Sequence, residues 1–495
     1  MVLIMNKRRL VIILITLCFV AVLFLKPTSV FANTDNKISN EAQEHILNEL
    51  QKARIPNAAI AIIKDGEVSY ILKDSSKDSL FQIASVAKNF TAFGILLLED
   101  NGLLSVDDPV SKFLPWFEVN YQGKPVPPED ITIGNLIHHT SGFTSHEGHF
   151  ASVSDLKTTD ELIRQIIGSE LKFYPSEQFV YGNINYVLLG FIIEAVSGQS
   201  YDEYMTQNIL NPLGLYNTFT NPERAHGTGL TAGGNRLGFL RSLPREVAYN
   251  DFLVPTGFIY SSIEDMGRWA GIHLGLIDVD EQFSRVVKRS HMFKSIRMPL
   301  DDVDWHYAGG WIVESNNDSI FHTGMTTGYT AVVDMKPKRN TAVVVLNNQS
   351  HAPVDDIPVF VLETIEDGSF KELQTCMYVI LDIVYTVLSI LGFIATGVFI
   401  LFVFRLVKTL RYGYTIKCKF TVKNILLLLM PLLLLTITIG WNVLLCVSFG
   451  NTFSLVVLYS PASYIYANIS MIVMAVYVFC FWLTKVFVQK PSLPT

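Results

Sequence analysis

Cysteine is scarce in this chain, and its distribution excludes two kinds of chemistry. The chain has 5 cysteines, and none of them lies between Asn33 and Thr375. A disulfide scaffold therefore cannot hold the central region together, and no cysteine nucleophile is available there. An exported domain without cysteine is compatible with a bacterial cell surface.

Charge is scarce as well. Only 17% of the residues are charged, whereas 49% are hydrophobic, and the formal net charge is -7. This balance is too apolar for a purely soluble protein, so it predicts membrane segments. Because no basic domain stands out, nucleic acid is not an expected partner.

The N-terminus has the pattern of a secretory signal. Basic residues at 7–9 precede an apolar run at 10–25, and Ala32 ends a short cleavage-site pattern. We expect residues 1–32 to be a signal peptide. The alternative is an uncleaved anchor, and both interpretations place the following domain outside the membrane.

Apolar stretches near the C-terminus are each long enough to span a membrane as a helix. We predict three spans, at Ile383–Phe404, Ile425–Val447 and Tyr464–Leu483. The connection between the first two is basic and has no acidic residue, so the positive-inside rule places it in the cytoplasm. The sequence thus predicts an extracytoplasmic domain at 33–370 and a membrane tail of three helices at 371–495, bound to the lipid bilayer.

Polar and small residues in this tail raise the question of what it contacts. Asp382 lies at the outer edge of the first predicted span. We expect its carboxylate to be interfacial and hydrated, and a buried functional role is the alternative. Gly392, Gly397 and Asn442 are compatible with helix contacts, through which the tail could bind a membrane partner or form a homodimer.

The exported region is a mixture of strand and helix patterns. Apolar runs at 58–63 and 67–72 flank an Asp-Gly dipeptide, which predicts a hairpin, and another strand pattern lies at 341–346. Helical patterns lie between these ends, at 85–99, 184–196 and 262–274. We therefore expect an α/β fold in which the two ends of the region build one sheet, with a helical subdomain.

The first candidate chemistry lies in the segment Phe81-Gln-Ile-Ala-Ser85-Val-Ala-Lys88. The apolar spacing predicts that Ser85 opens a helix and that Lys88 lies one turn later on the same face. A serine needs an adjacent base, and lysine can serve if desolvation lowers its pKa. The Ser85 amide, at a helix N-terminus, could donate to an oxyanion. The alternative is an exposed helix lysine.

Tyr181 and Asn183 form the second candidate pair. A tyrosine can relay a proton between serine and leaving group if nearby cations lower its pKa. The side chain of Asn183 can hold a substrate amide. The alternative is a loop tyrosine followed by an asparagine that caps a helix.

A third candidate segment contains His322, Gly324 and Met325. We expect an edge strand beside the nucleophile, where Gly324 lets a substrate approach the backbone and the Met325 amide completes an oxyanion hole. His322 would offer a proton donor or a partial positive charge to the substrate. The alternative is that His322 is a surface histidine whose ring nitrogens already have hydrogen-bond partners.

In this order, the motifs S-x-x-K, Y-x-N and H-T-G resemble those of the serine β-lactamase and penicillin-binding-protein superfamily. The resemblance is greatest to its class C, D-alanyl-D-alanine carboxypeptidase and esterase branch, of peptidase S12 type, and covers nearly all of 38–350. With its predicted tail, the chain is also similar to FmtA-like penicillin-binding-protein relatives and to colibactin-type prodrug peptidases. The resemblance implies an α+β fold with an antiparallel sheet flanked by helices.

The resemblance also implies roles for individual residues. Ser85 would be the acylated nucleophile, and Lys88 and Tyr181 the proton-transfer pair. The implied substrate contacts are Asn183, His322, Gly324 and Met325. No cofactor is implied. His322 is a departure, since many members of the superfamily have lysine there, and it weakens the case for tight binding of a β-lactam carboxylate.

Histidines at 138, 139, 146 and 149 raise a zinc site as an alternative. The context of the resemblance already accounts for His138 and His139, and the other two are typical of a polar loop, so no metal is expected.

The predicted function is acyl transfer from a peptide, amide or ester, with peptides that contain D-amino acids or belong to the cell envelope as the leading class. Two alternatives stay open. One is a peptidase that activates an acylated antibiotic precursor. The other is a non-catalytic surface receptor, against which the intact motifs argue.

Overall fold

The structure, a computed structural model, describes residues 38–143, 158–294, 296–299, 302–411, 415–416, 421–448 and 453–489. All of them belong to one compact unit, Asp35–Thr495. The predicted signal peptide at 1–32 lies outside the described residues, and so do His146 and His149.

A seven-stranded antiparallel sheet forms the centre of the domain that precedes the tail. In order across the sheet, its strands are Trp305–Tyr307 (β11), Ile312–Glu314 (β12), Ile320–Met325 (β13), Thr330–Lys336 (β14), Thr341–Asn347 (β15), Ala58–Lys64 (β1) and Glu67–Lys73 (β2). Two strands come from the start of the domain and five from its end. The predicted sheet built from distant ends of the chain is therefore confirmed.

The predicted hairpin is strands β1 and β2. They are joined by Asp65 and Gly66, with φ of 49° and 85°, and Lys64 pairs with Glu67. Positive φ at both central residues gives a two-residue turn whose twist matches that of the strands, which explains the Asp-Gly dipeptide.

Helices connect the two groups of strands. Those of the domain are Asn40–Lys52 (α1), Ala87–Asp100 (α2), Val110–Phe113 (α3), Ile133–Ile137 (α4), Thr159–Ile166 (α5), Asn183–Ser197 (α6), Tyr201–Met205 (α7), Pro222–Gly227 (α8), Val254–Gly257 (α9), Ile263–His273 (α10), Glu281–Ser290 (α11) and Ile357–Glu366 (α12). The helical patterns predicted from the sequence correspond to α2, α6 and α10.

The central sheet is covered on both faces. On β1, Ala59 and Ala61 face the large cluster formed with most of the helices, whereas Ile60 and Ile62 face α1 and α12. Six of the seven residues of β1 are buried, because helices cover both faces. This explains the continuous apolar run in the sequence.

Short strands complete the domain. They are Leu80–Gln82 (β3), Val119–Tyr121 (β4), Lys124–Pro125 (β5), Ser169–Glu170 (β6), Thr218–Phe219 (β7), Asn235–Gly238 (β8), Arg241–Pro244 (β9) and Tyr260–Ser262 (β10). Strand β3 pairs with β10 and leads directly into α2. Strands β8 and β9 form a hairpin whose tip contacts the tail.

The tail is a bundle of helices. Its described elements are Met377–Arg411 (α13), Thr415–Ile416 (β16), Val422–Ser448 (α14), Phe453–Tyr459 (α15), Ser463–Phe487 (α16) and Val488–Gln489 (β17). Helices α13 and α14 both pack against α16. Strands β16 and β17 pair with each other.

Among the residues that the structure describes, two helices, rather than the three that we predicted, are long and apolar enough to cross a membrane by length and composition. They are Met377–Lys408 and Ser463–Thr484. Helix α14 contains Pro431, and its apolar part among the described residues is Pro431–Val447.

Asp382 joins the tail to the domain. Its side chain is 0% exposed, so the expectation of a hydrated carboxylate is wrong. The carboxylate accepts hydrogen bonds from the amides of Phe239 and Leu240 and from the hydroxyl of Ser463, and it forms an ion pair with Arg54. These donors compensate the loss of water, so the carboxylate can be buried.

Candidate active site

Ser85 lies in a tight turn between strand β3 and helix α2. The residue before it, Ala84, has a φ of 49°, in the left-handed region that residues other than glycine rarely adopt. Within 81–90, every residue except Ser85 is buried. The turn thus exposes one hydroxyl from an otherwise buried segment. The sequence predicted a serine at a helix start, but nothing local marks Ala84 as the bend.

Lys88 lies one turn after Ser85, as predicted, and is 0% exposed. Its Nζ is 3.2 Å from Ser85 Oγ, 2.8 Å from Asn183 Oδ1 and 2.7 Å from the carbonyl oxygen of Thr256. Burial lowers the pKa of Lys88 well below its ordinary value, because the charged form loses its hydration and no carboxylate in the described part of the chain compensates that loss. The amine is therefore suited to be neutral.

A neutral amine fits this set of neighbours. It has two N–H bonds and one lone pair, and the oxygens of Asn183 and Thr256 accept the two hydrogens at the shorter distances. The lone pair then faces the Ser85 hydroxyl, which can donate to it. Thr256 was not among the predicted site residues, because a backbone carbonyl leaves no signature in the sequence.

Tyr181 completes the group around the serine. Its phenol forms a hydrogen bond with Ser85, and the Lys88 amine lies 4.9 Å from the centroid of its ring. Burial raises the pKa of Tyr181, and the bond to Ser85 offsets only part of that effect. The sequence argument required nearby cations that lower the pKa of Tyr181, whereas the structure raises it. Tyr181 keeps its proton and is suited to donate it.

The loop that contains His139 supports Tyr181 from behind. His139 Nδ1 accepts hydrogen bonds from the side chain of Asn185 at 2.8 Å and the amide of Gly182 at 3.3 Å, and Ser141 donates to Asn185 at 2.7 Å. The ring centroids of His139 and Tyr181 are 4.5 Å apart. The sequence drew attention to this histidine through the zinc alternative and the family resemblance, but neither predicted its contact with Tyr181.

The residues of that zinc alternative have other partners where the structure describes them. Nδ1 of His138 donates to the carbonyl of Tyr307 at 2.8 Å, and burial lowers the pKa of His138 to about 4. Among the described residues, no group of three or more His, Cys, Asp or Glu side chains is placed to hold a metal ion.

Gly324 brings strand β13 against the nucleophile. A Cβ atom at this position would lie 2.7 Å from both the carbonyl oxygen of Ile83 and the amide nitrogen of Ser85. These distances are shorter than a carbon can approach, so only glycine allows this contact. The close contact is with the segment that carries Ser85, whereas the predicted approach of a substrate to Gly324 stays a prediction.

The amide of Met325 points away from the neighbouring strand. The amide of Thr326 donates to the carbonyl of Tyr329 across the turn, and hydrogen-bonded pairs alternate along an antiparallel ladder. The Met325–Thr330 pair is therefore a pair without backbone hydrogen bonds between its residues. The amide of Met325 points to the other edge of strand β13, beside Ser85. Together with the Ser85 amide, it can bind an oxyanion.

His322 is held by the protein and is 3% exposed. Its Nδ1 donates to the Thr323 carbonyl at 2.6 Å, so Nε2 accepts from the Tyr307 hydroxyl at 3.0 Å. Burial lowers the pKa of His322 to about 3, so the ring is neutral. It does not offer the free donor or positive charge that the sequence argument expected. Tyr307 was not predicted, because its contact depends on strand pairing.

Asn183 begins helix α6, and its side chain is exposed. Since its Oδ1 accepts from Lys88, its amide nitrogen is left on the open side of the site. The structure therefore brings the side chains of Ser85, Lys88, Tyr181 and Asn183 together at the edge of β13.

Comparison with known proteins shows which family the chain is similar to. The profile of the β-lactamase family matches residues 42–364. Protein flp of Staphylococcus aureus is 32% identical over 331 residues, which cover 63% of this chain and 64% of that protein. Penicillin-binding protein 4* of Bacillus subtilis is 29% identical over 294 residues, which cover 55% of this chain and 61% of that protein. The chain thus spans less than two thirds of the length of these curated relatives.

Solved structures show the same fold. An octameric penicillin-binding protein homologue from Pyrococcus abyssi has a TM-score of 0.57 at 27% identity, covering 67% of this chain and 78% of that one. A class C β-lactamase has a TM-score of 0.57 at 19% identity, and the match covers 68% of this chain and 99% of that one. The family match includes every element that carries Ser85, Lys88, Tyr181 and Gly324, and the chain belongs to the β-lactamase family, within the β-lactamase and penicillin-binding-protein superfamily of serine acyl-transferring enzymes.

Proposed function

We propose that this protein is a serine hydrolase in which Ser85 is acylated and then released by water. The observation that carries the proposal is the buried amine of Lys88, which lies 3.2 Å from Ser85 Oγ and has no carboxylate partner among the described residues. An uncharged amine at this distance can take the proton of the serine as it attacks a carbonyl.

Each remaining residue has a step in this proposal. Ser85 Oγ bonds to the substrate carbonyl carbon while its proton passes to Lys88, and the amides of Ser85 and Met325 stabilise the oxyanion. Tyr181 donates its proton to the leaving nitrogen or oxygen, and the proton on Lys88 replaces it. Water then attacks the acyl-enzyme, and the same groups work in reverse.

The proposed substrate is a peptide, amide or ester, with D-amino-acid-containing peptides of the cell envelope as the leading class. Support comes from family membership and from the exposed amide of Asn183, which is placed to bind a substrate carbonyl. The exposed edge of β13 could pair with an extended substrate backbone. A D-alanyl-D-alanine carboxypeptidase activity is one member of this class.

We further propose that the tail holds the domain on the outer face of a membrane. Helices Met377–Lys408 and Ser463–Thr484 have the length and composition for this role. Arg405, Lys408 and Arg411 lie at the end of α13 that is far from the domain, which favours a cytoplasmic location for that end.

Activity-based labelling tests the chemistry. Membranes that contain the full chain would be treated with a fluorescent fluorophosphonate and, separately, with a fluorescent penicillin. We expect the fluorophosphonate to label the wild type and not Ser85→Ala, whereas Ser76→Ala, which changes an exposed serine outside the site, should be labelled like the wild type. Labelling that persists in Ser85→Ala would contradict the proposed nucleophile.

A panel of substrates then tests the class. Acylated peptides that end in D- or L-alanine would be compared with simple esters, and release of the leaving group would be followed with and without Ser85. Cleavage of L-peptides in preference to D-peptides would contradict the proposed substrate class and leave the nucleophile intact.

A further inference from the structure

His139 binds the main chain on both sides of Tyr181. The amide of Val180 donates to the carbonyl of His139 at 2.9 Å, and the amide of Gly182 donates to Nδ1 of its ring at 3.3 Å. These two amides belong to the residues immediately before and after Tyr181. One residue of another loop therefore holds the short stretch of backbone from which the phenol of Tyr181 extends.

The backbone of His139 has an uncommon conformation that makes both bonds possible. Its φ is 55°, in the left-handed region that residues other than glycine rarely adopt. The turn is fixed on its far side, because the amide of Thr140 donates to the carbonyl of Asn135 in helix α4 at 2.8 Å, and the carbonyl of Thr140 accepts from the amide of Ser176 at 2.8 Å. Strained backbone that its surroundings hold in place is often found at functional sites.

The ring of His139 has a single possible tautomer. Nδ1 accepts from the amide of Gly182, and a backbone N–H can only donate, so Nδ1 carries the lone pair and Nε2 the hydrogen. The side chain of Asn185, which donates to the same nitrogen at 2.8 Å, agrees with this assignment. The residue is 1% exposed, and burial lowers the pKa of His139 well below its ordinary value, so the ring is neutral.

Aromatic rings surround the rest of the imidazole. Its centroid is 4.5 Å from that of Tyr181, 5.2 Å from that of Tyr186 and 4.6 Å from that of Tyr307. Among the described residues, Nε2 has no hydrogen-bond partner. The ring thus packs against Tyr181 without binding its hydroxyl, which is left for Ser85.

We propose that His139 is a positioning residue for proton transfer to the leaving group, because its carbonyl and its Nδ1 hold the backbone of Tyr181 in place. This inference rests on the proposed function. In acylation, Ser85 Oγ bonds to the carbonyl carbon of an ester and the bond from that carbon to the leaving oxygen breaks. The phenolic proton of Tyr181 moves to that oxygen, and the proton on Lys88 replaces it. A displaced phenol would slow this proton transfer above all.

The test compares two esters of one acyl group with the full chain in detergent or nanodiscs. A nitrophenyl ester has a leaving group that departs without a proton, whereas an alkyl ester has one that must be protonated as it leaves. The readout is kcat/KM for each ester, which reports the steps up to acylation. His139→Leu removes the acceptor at Nδ1, and we expect it to lower kcat/KM for the alkyl ester by roughly 10- to 100-fold, as for a displacement of about 1 Å. The value for the nitrophenyl ester should change little.

Two further variants separate the hydrogen bond from the space that the ring fills. His139→Asn keeps an oxygen near the position of Nδ1 and suits a positive φ, so it should restore most of the activity on the alkyl ester. His139→Gln carries its amide one bond farther out and should not restore it. These two variants decide the question if His139→Leu does not fold.

A comparison with Tyr181 shows whether His139 acts through it. Tyr181→Phe should cause the same selective loss on the alkyl ester, and adding His139→Leu to it should cause no further selective loss. The control is His306→Asn, which changes another buried histidine, one whose ring contacts the carbonyl of Ile296 at 3.2 Å. It should keep the wild-type ratio of the two kcat/KM values.

Three results would overturn the inference while the nucleophile stands. They are an equal loss on both esters in His139→Leu, the same ratio in His139→Asn and His139→Gln, and a selective loss that adds to that of Tyr181→Phe. Cleavage of neither ester by the wild type would contradict the proposed function, and this inference with it.

Discussion

The amine of Lys88 and the hydroxyl of Ser85 lie 3.2 Å apart at the start of one helix, and the amine has no exposure to solvent. The spacing of three residues brings the side chains together, but burial gives the pair its chemistry. In water the same lysine would be protonated and could not accept a proton. The helix supplies the geometry, and the surrounding domain supplies the change in pKa.

Replacing Lys88 by methionine tests this pair. Methionine has similar length but no base, so we expect the rate of Ser85 labelling by a fluorophosphonate to fall by about 100- to 10,000-fold, the usual contribution of a general base. The control is Lys73→Met, at a second buried lysine, whose Nζ binds the carbonyl of Pro56 outside the site. A labelling rate within a few-fold of the wild type in Lys88→Met would rule out Lys88 as the base.

The pH dependence of the same labelling reaction reports the state of Lys88. Burial lowers its pKa, so the protonated, inactive form dominates only at lower pH than for an ordinary lysine, whose pKa is about 10.4. We expect the rate to rise with pH through this lowered pKa and then to level off. A rate that still climbs steeply through about pH 9 to 10 would show an unperturbed amine.

Gly324→Ala is expected to remove activity and reduce stability together. The new methyl group would lie 2.7 Å from the backbone of Ile83 and Ser85, so the strand or the turn must move. Overpacking of this kind typically costs about 1–3 kcal/mol. Thermal unfolding and labelling of Ser85 would measure the two effects.

A matched control for that variant is Gly227→Ala, at the end of helix α8, where a Cβ atom would meet nothing within 4 Å. We expect normal labelling and unchanged stability there. If Gly324→Ala behaves like this control, the close approach of β13 to the nucleophile is not required.

Asp382→Asn should loosen the tail from the domain. The amide keeps the shape of the side chain but removes the charge that faces Arg54 and the two hairpin amides. Breaking one partner of a buried ion pair commonly costs about 3–5 kcal/mol. We expect a lower unfolding temperature and faster proteolysis between the domain and α13.

A double variant separates the ion pair from the other bonds of Asp382. Arg54→Gln combined with Asp382→Asn leaves no unpaired charge, so its loss of stability should be smaller than the sum of the two single losses. Losses that simply add would mean that Arg54 and Asp382 do not interact.

Much of the fold was predictable because it follows from local patterns. The Asp65-Gly66 turn, the apolar run of β1 and the helix after Ser85 each depend on a few neighbouring residues. The number of candidate membrane-spanning helices differs from the prediction, since two such helices, not three, are found among the described residues. The burial of Asp382 was missed, because its partners lie 81 or more positions away.

The sequence by itself determined which residues are proposed to carry the chemistry, and it placed Lys88 one helical turn from Ser85, because that relationship is local. Only the tertiary structure decided their states. The acceptors of Lys88 are 95 and 168 positions away, and Tyr181 keeps its proton because residues from several elements enclose it. The reason is physical: a pKa depends on the solvent and charges around a group, and these come from parts of the chain that only folding brings together.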